Sequence, residues 1–265
     1  MTTAPSDKWS DLAVRTGSGA ILVALGLWGI WIGGHFFHVM VTVVCGLMIW
    51  ELTRMMVPMR SNLPRVLGLV AAVAVLIASY LPAGYAMPLL LAPPLIGFGQ
   101  LPRNRSIFMI FTVMVLLAGF GMMAVRDDLG FWWMLWLVAV VAITDVMGYF
   151  AGRVFGGPKF WPKVSPKKTW SGTIGGWVGA GVVGAVFALF LDTSGEIIGF
   201  SIALSMASQI GDISESAIKR EMGVKDSSSL IPGHGGVLDR FDGMLGASVF
   251  LLVVGQLIGF PPGLR

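Results

Sequence analysis

Near the end of the chain, carboxylates, lysines and glycines gather in a pattern suited to phosphates and divalent cations. Asp212, Glu215 and Lys219 are spaced by three, four and seven, which puts them on one face of a helix predicted over 197–220. Asp145 falls late in a predicted helix over 131–152, and Asp239 and Asp242 open another over 239–260. Ionisable groups inside apolar helices cost roughly 2.5–3.5 kcal/mol each on insertion scales, so they face a wet cavity or a partner. Structurally, these acids can pair across helices with Lys219, Arg220 or Arg240. Chemically, they can hold Mg²⁺ for phosphoryl or nucleotidyl transfer, in which neutralising and positioning phosphates does most of the work.

Between the last two helices the chain reads Lys225-Asp226-Ser-Ser-Ser-Leu-Ile-Pro-Gly233-His234-Gly235-Gly236-Val-Leu-Asp239-Arg240-Phe-Asp242. The three glycines leave backbone N–H groups open to phosphate oxygens, and a helix start adds a positive dipole end. Glycines also serve ordinary turns; the flanking acids and Lys219, Arg220 and Lys225 raise the phosphate reading. His234 either donates to a phosphate or to departing pyrophosphate, or it stabilises the turn. A second basic stretch, 153–171, carries Lys159, Lys163, Lys167 and Lys168 with Trp161 and Trp170. It reads either as an anion-binding loop or as a membrane-flanking basic loop with interfacial aromatics. His35 and His38 have metal-ligand spacing but no carboxylate close in sequence, and Glu51 is expected to pair locally with Arg54 at i,i+3.

Of the 265 residues 55% are hydrophobic and 12% charged, against roughly 25% charged in a soluble domain. Apolar runs of about 18 residues or more recur, each long enough to cross a hydrocarbon core. The expected fold is all-α and polytopic, with nine transmembrane helices at about 16–34, 36–54, 66–84, 86–101, 107–125, 131–152, 173–191, 197–220 and 239–260. Prolines 82, 88, 93 and 94 make the third and fourth of these the least regular. Residues 1–130 read as a transmembrane scaffold and 131–265 as the catalytic region of one membrane unit. The first span is expected to be retained, because Asp7, Lys8, Asp11 and Arg15 precede it without a cleavage pattern. Cys45 is the sole cysteine, so neither a disulfide nor a cysteine zinc site can form within one chain.

Nine spans with a cytoplasmic start put 16 of the 18 basic residues on the cytoplasmic side, leaving Arg126 and Arg265 opposite with Asp127, Asp128, Asp192 and Glu196. All the candidate acids then lie at cytoplasmic helix ends. Nucleic acid is a poor partner, since the few basic residues hug the membrane and no soluble module accompanies them. Small residues at four-residue spacing in 172–184 allow close helix approach, within the chain or in a homodimer.

The segment Ser216-Ala-Ile-Lys219-Arg220, then Lys225-Asp226, Pro232-Gly-His-Gly-Gly236 and Leu238-Asp-Arg-Phe-Asp242 resembles the signature of the phosphatidate cytidylyltransferase family. Asp145-Val-Met-Gly-Tyr149 and Ser165-Pro-Lys-Lys-Thr-Trp170 agree, so the resemblance covers about residues 140–245. It implies that CTP and phosphatidate give CDP-diacylglycerol and pyrophosphate with Mg²⁺ and possible use of a second cation. It also implies that Asp212 and Asp239 hold the cations, and that Lys167, Lys168, Lys219 and Arg220 neutralise phosphates. Asp226 and Asp242 match acidic positions expected to order the metal or contact ribose and cytosine. Where the family has Glu in a Trp-Glu-Gly sequence, this chain has Ser171, a departure that bears on the lipid substrate more than on the reaction class. Two alternatives stand beside this reading: a CTP-dependent transferase acting on another lipid phosphate or lipid alcohol, and an ion-coupled transporter of an anionic solute.

Overall fold

A backbone in lipid has no water to satisfy its polar groups, so apolar stretches close their hydrogen bonds as helices. In the computed structural model, which describes residues 6–191, 193 and 195–263 with side chains from Val14, nine α-helices follow one another. They are α1 (Ser6–Ile32), α2 (Gly34–Met56), α3 (Leu63–Ala78), α4 (Ala83–Gln100), α5 (Arg105–Ala124), α6 (Phe131–Phe155), α7 (Trp170–Leu191), α8 (Glu196–Glu221) and α9 (Leu238–Ile258). A π-helical turn, Val125–Leu129, continues α5. The charges read at Asp7, Lys8, Asp11, Asp192 and Arg265 lie outside the described side chains.

Seven of these helices are long and apolar enough to span a membrane. The other two are α3, with 16 residues, and α4, interrupted by Pro88, Pro93 and Pro94. They are consecutive. The orientation of α5–α9 is therefore the same whether this pair crosses the bilayer or only dips into it.

The basic stretch after α6 departs from the loop expected there. Gly156 and Gly157, at φ 59° and 98°, turn the chain out of α6. An antiparallel hairpin follows, β1 (Lys159–Trp161) on β2 (Ser165–Thr169), with Lys159 opposite Thr169. Phe160 packs edge-on against Trp170 with ring centroids 4.7 Å apart.

Helix α6 packs most extensively on α7, and α8 lies against both α7 and α9. The small-residue stripe of α7 is used inside the chain. A Cβ at Gly172 would sit 3.4 Å from Gly152 Cα, one at Gly179 2.7 Å from Met147 Cγ, and one at Gly184 2.6 Å from Ser201 Oγ. Polar ties join α6 and α7 to α8, from Trp136 Nε1 to Ser201 Oγ (2.9 Å), Thr144 Oγ1 to Ser205 Oγ (2.8 Å) and Trp177 Nε1 to Gln209 Oε1 (2.9 Å). Such interhelical bonds contribute about 0.6 kcal/mol each on average in membrane bundles. Helix α2 packs on α3 and α5, and α5 on α9, which joins the N-terminal helices to the site-bearing ones.

Candidate active site

Helix α8 places Asp212, Glu215 and Lys219 along its last turns. Lys219 is buried and shared, its Nζ lying 2.5 Å from Glu215 Oε2 and 2.6 Å from Asp239 Oδ1. The helix-face reading of Glu215 and Lys219 is thus realised as an i,i+4 ion pair, extended to α9. The lysine's charge is consequently spent between two carboxylates. Arg220, one residue on, is exposed and donates to the Val224 carbonyl at 3.1 Å.

Asp212 takes a different partner. The hairpin lays Lys168 against it, an ion pair with both side chains about one quarter exposed, and Ser216 Oγ approaches Oδ1 at 3.4 Å. Asp145 of α6 lies within electrostatic range of Asp212, Lys168 and Arg240, and Asp242 of α9 within range of Asp212, Asp145 and Lys219. Three carboxylates from three helices therefore share one region with Lys168 at its edge. Gly243 N donates to Asp242 Oδ1 at 2.7 Å, holding that side chain at the start of α9. Contact between α8 and α9 is close enough here that a Cβ on Gly211 would meet the Asp242 carbonyl.

Asp239 is the most enclosed of the clustered aspartates. Its Oδ2 accepts from Ser227 N (2.9 Å), Ser227 Oγ (2.9 Å) and Gly236 N (2.7 Å), while Oδ1 faces Lys219. The loop of 225–237 wraps this carboxylate. Ile231 N bonds Gly235 O at 2.8 Å and His234 N bonds Ile231 O at 2.9 Å, a tight turn that Gly233 and Gly235 allow at φ 75° and 82°. At Gly236 a Cβ would collide with Ser227 Oγ and the Glu51 carboxylate, so only glycine fits.

These bonds revise the phosphate-cradle expectation for part of the loop. The Gly236 N–H is held by Asp239, and the Val237 and Leu238 N–H groups, at the start of α9, are held by Glu51 at 2.9 and 2.8 Å. Protein carboxylates already occupy the positive end of α9, so those N–H groups are not open to a phosphate. Lys167, Lys225 and Arg240 are exposed, with side chains able to donate to an anion, and Asp226 is exposed beside them. His234 turns toward α1, its Nδ1 2.8 Å from Ser18 Oγ, and Ser18 Oγ also lies 3.0 Å from the Pro232 carbonyl. When the hydroxyl donates to that carbonyl it accepts from Nδ1–H.

Glu51 corrects the local reading. Rather than pairing with Arg54, which lies over the Trp50 ring, it is fully buried and accepts from Ser227 Oγ, Ser228 Oγ, Val237 N and Leu238 N. A lone carboxylate in an apolar helix was the available signal; nothing local pointed to partners 176–187 residues away. His35 and His38 hold no metal cluster among the described residues. His35 Nδ1 meets Tyr80 Oη at 2.7 Å, and His38 Nε2 meets Asp127 Oδ2 at 2.7 Å, a carboxylate that is close in space though distant in sequence. Ser171, at the variant position, donates its hydroxyl to the Gly156 carbonyl and lies 3.0 Å from Thr169 Oγ1, fastening the start of α7 to the end of α6.

The cytidylyltransferase family model matches residues 13–258, from α1 to the last turn of α9. The chain belongs to the cytidylyltransferase family. Among its relatives is a phosphatidate cytidylyltransferase of Brucella abortus biovar 1 (strain 9-941), 34% identical over 265 residues that cover 95% of this chain and 96% of the relative. One from Staphylococcus haemolyticus (strain JCSC1435) is 41% identical over 57% of this chain and 61% of its own. One from Haemophilus influenzae is 46% identical over 46% of this chain and 44% of its own. The match also includes α2, and with it Glu51, which lies outside the signature segment.

Among the described residues no three acid, histidine or cysteine side chains close on one point tightly enough to enclose a cation unaided. Mg²⁺ at phosphoryl-transfer sites uses one or two carboxylates and completes its shell with waters and substrate phosphates. Asp212 fits that role, with Asp145 and Asp242 in range and only Lys168 and Ser216 to yield. Asp239 fits it less well, because four protein donors already fill its oxygens.

Proposed function

We propose that this chain condenses CTP with phosphatidate to give CDP-diacylglycerol and pyrophosphate, in a bacterial inner membrane with the site facing the cytoplasm. The observation that carries this is the cluster of Asp145, Asp212 and Asp242 from three helices, met by Lys168 from the hairpin. Family membership across nearly the whole chain, with full-length relatives named for that activity, supports it. The basic loops gather beside the same helix ends, as positive-inside orientation requires.

A lipid phosphate oxygen forms a bond to the α-phosphorus of CTP as the bond from that phosphorus to the bridging oxygen of pyrophosphate breaks. The attacking phosphomonoester is largely anionic near neutrality, its second pKa being about 6, so no protein nucleophile or strong base is needed. Mg²⁺ bound at Asp212 would neutralise charge on the transferring phosphate. In this reading Lys167, Lys168, Arg220, Lys225 and Arg240 orient and neutralise the phosphate chain, while Asp226 and Asp242 contact ribose and cytosine or order the cation. The diacyl chains stay in the bilayer while CTP arrives from water. The α7 stripe is already used within the chain, so a homodimer would form through another surface.

The test is pyrophosphate release by purified protein given CTP, Mg²⁺ and a panel of lipid phosphates. Release with phosphatidate, matched by CDP-diacylglycerol, is expected. Release with a polyprenyl phosphate and none with phosphatidate would move the substrate assignment to that lipid.

A further inference from the structure

Helix α9 begins without a local cap. Val237 stands at its N-cap position and makes no side-chain cap bond, although the first N–H groups of any helix lack partners within it. Those partners come from α2. Glu51 Oε1 accepts from Val237 N at 2.9 Å and from Ser228 Oγ at 2.6 Å, and Oε2 accepts from Leu238 N at 2.8 Å with Ser227 Oγ at 3.1 Å. A buried carboxylate needs such compensation, and among the described residues no lysine or arginine forms an ion pair with it. Ser227 Oγ also lies within hydrogen-bond distance of Asp239 Oδ2, at 2.9 Å. Having one proton, it serves one carboxylate at a time and ties the placement of Glu51 to that of Asp239.

We propose that Glu51 is a positioning residue for the reaction: supplied by α2 as the missing cap of α9, it sets through Ser227 and the first helical turn where Asp239 and Asp242 lie. It touches no substrate. Its effect runs through the loop of 225–237, whose serines and glycines close around the two carboxylates. Geometry of this kind matters because a misplacement of about 1 Å at a catalytic group can cost about 100-fold in rate.

The inference rests on the cytidylyl-transfer reading, and the experiment separates the two. Glu51→Gln keeps the side chain's reach but turns an amide donor toward N–H and O–H donors, while Ser228→Ala removes one tie. For pyrophosphate release, kcat is expected to fall about 100-fold in Glu51→Gln and about 10-fold in Ser228→Ala. The KM for CTP should move less than about threefold, the pattern of a lost transition-state arrangement. The double variant should fall no further than Glu51→Gln, because both changes break one linkage. Wild-type kcat in Glu51→Gln, multiplying effects in the double variant, or a raised KM at unchanged kcat would each overturn the proposal. If Glu51→Gln does not fold, Ser228→Ala decides alone: a kcat loss at constant KM supports the proposal and wild-type kinetics overturn it. If the wild type does not use phosphatidate, amide hydrogen exchange over 227–238 is the readout; faster exchange in either variant supports the proposal and unchanged exchange in both overturns it.

Discussion

Asp212 and Asp239 look alike in the sequence, yet their surroundings assign them different work. Asp212 is partly open and held by Lys168 from outside the helix bundle, whereas Asp239 is buried with both oxygens bonded. Asp212→Asn is therefore expected to leave the fold intact and to lower Mg²⁺-dependent turnover by about 100-fold or more. Full Mg²⁺-dependent turnover in a folded variant would remove Asp212 from the site. Asp239→Asn breaks a buried ion pair from one side, which typically costs about 3–5 kcal/mol. Its thermal unfolding midpoint in detergent should drop well below that of Asp212→Asn, and equal midpoints would contradict the enclosed environment described for Asp239. Lys219 belongs to the same network, since its charge holds Glu215 and Asp239 together.

Helices α8 and α9 bring those residues together only because their backbones nearly touch. A Cβ on Gly246 would collide with the Ala207 carbonyl and stand 3.0 Å from Gly211 N. Gly246→Val is expected to destabilise the protein by about 1–3 kcal/mol, as overpacking does, and to reduce activity by separating Asp212 from Asp242. Gly199, also in α8, has open space where a side chain would begin. Gly199→Ala should hold or raise the unfolding midpoint, by up to about 1 kcal/mol of helix preference. Similar losses in both variants would argue against a specific α8–α9 contact. On the other side of the site the hairpin carries Lys168 to Asp212, so the short β1–β2 pairing acts as an arm that delivers a cation to α8.

At the scale of the whole chain, seven long spans with a consecutive, less regular α3–α4 pair set the site-bearing helices in one orientation. The apolar faces they leave outward, such as Val178, Val182, Val186 and Leu189 of α7, suit contact with lipid. Cys45 is fully buried, so a Cys45→Ser background allows single cysteines to report sidedness. Cysteines placed at Met59 and Lys163, both exposed, should react with a membrane-impermeant maleimide only from the cytoplasmic side, and one at Asp128 only from the other. Labelling of Lys163→Cys and Asp128→Cys from the same side would overturn the orientation. The far side carries its own polar group, His38 on Asp127 with Tyr80 and His35, which joins α2 to the end of α5.

Hydropathy and local spacing alone determine a good deal here. Apolar runs must become helices in lipid, so all nine helices were legible within several residues at most ends, although α1 starts at Ser6 rather than near 16. The Glu215–Lys219 pair follows from one helical turn, and the glycines at 233, 235 and 236 follow from their own spacing. What only the tertiary structure decided are pairings across long separations. Glu51 meets the start of α9, Lys168 meets Asp212, Ser18 meets His234 and His38 meets Asp127. The physical reason is that a residue's periodicity reports which face of its own helix it occupies, not which distant helix packs there. The gathered acids announced a candidate site, but packing determined which of them stands partly exposed and which is enclosed by the protein's own donors.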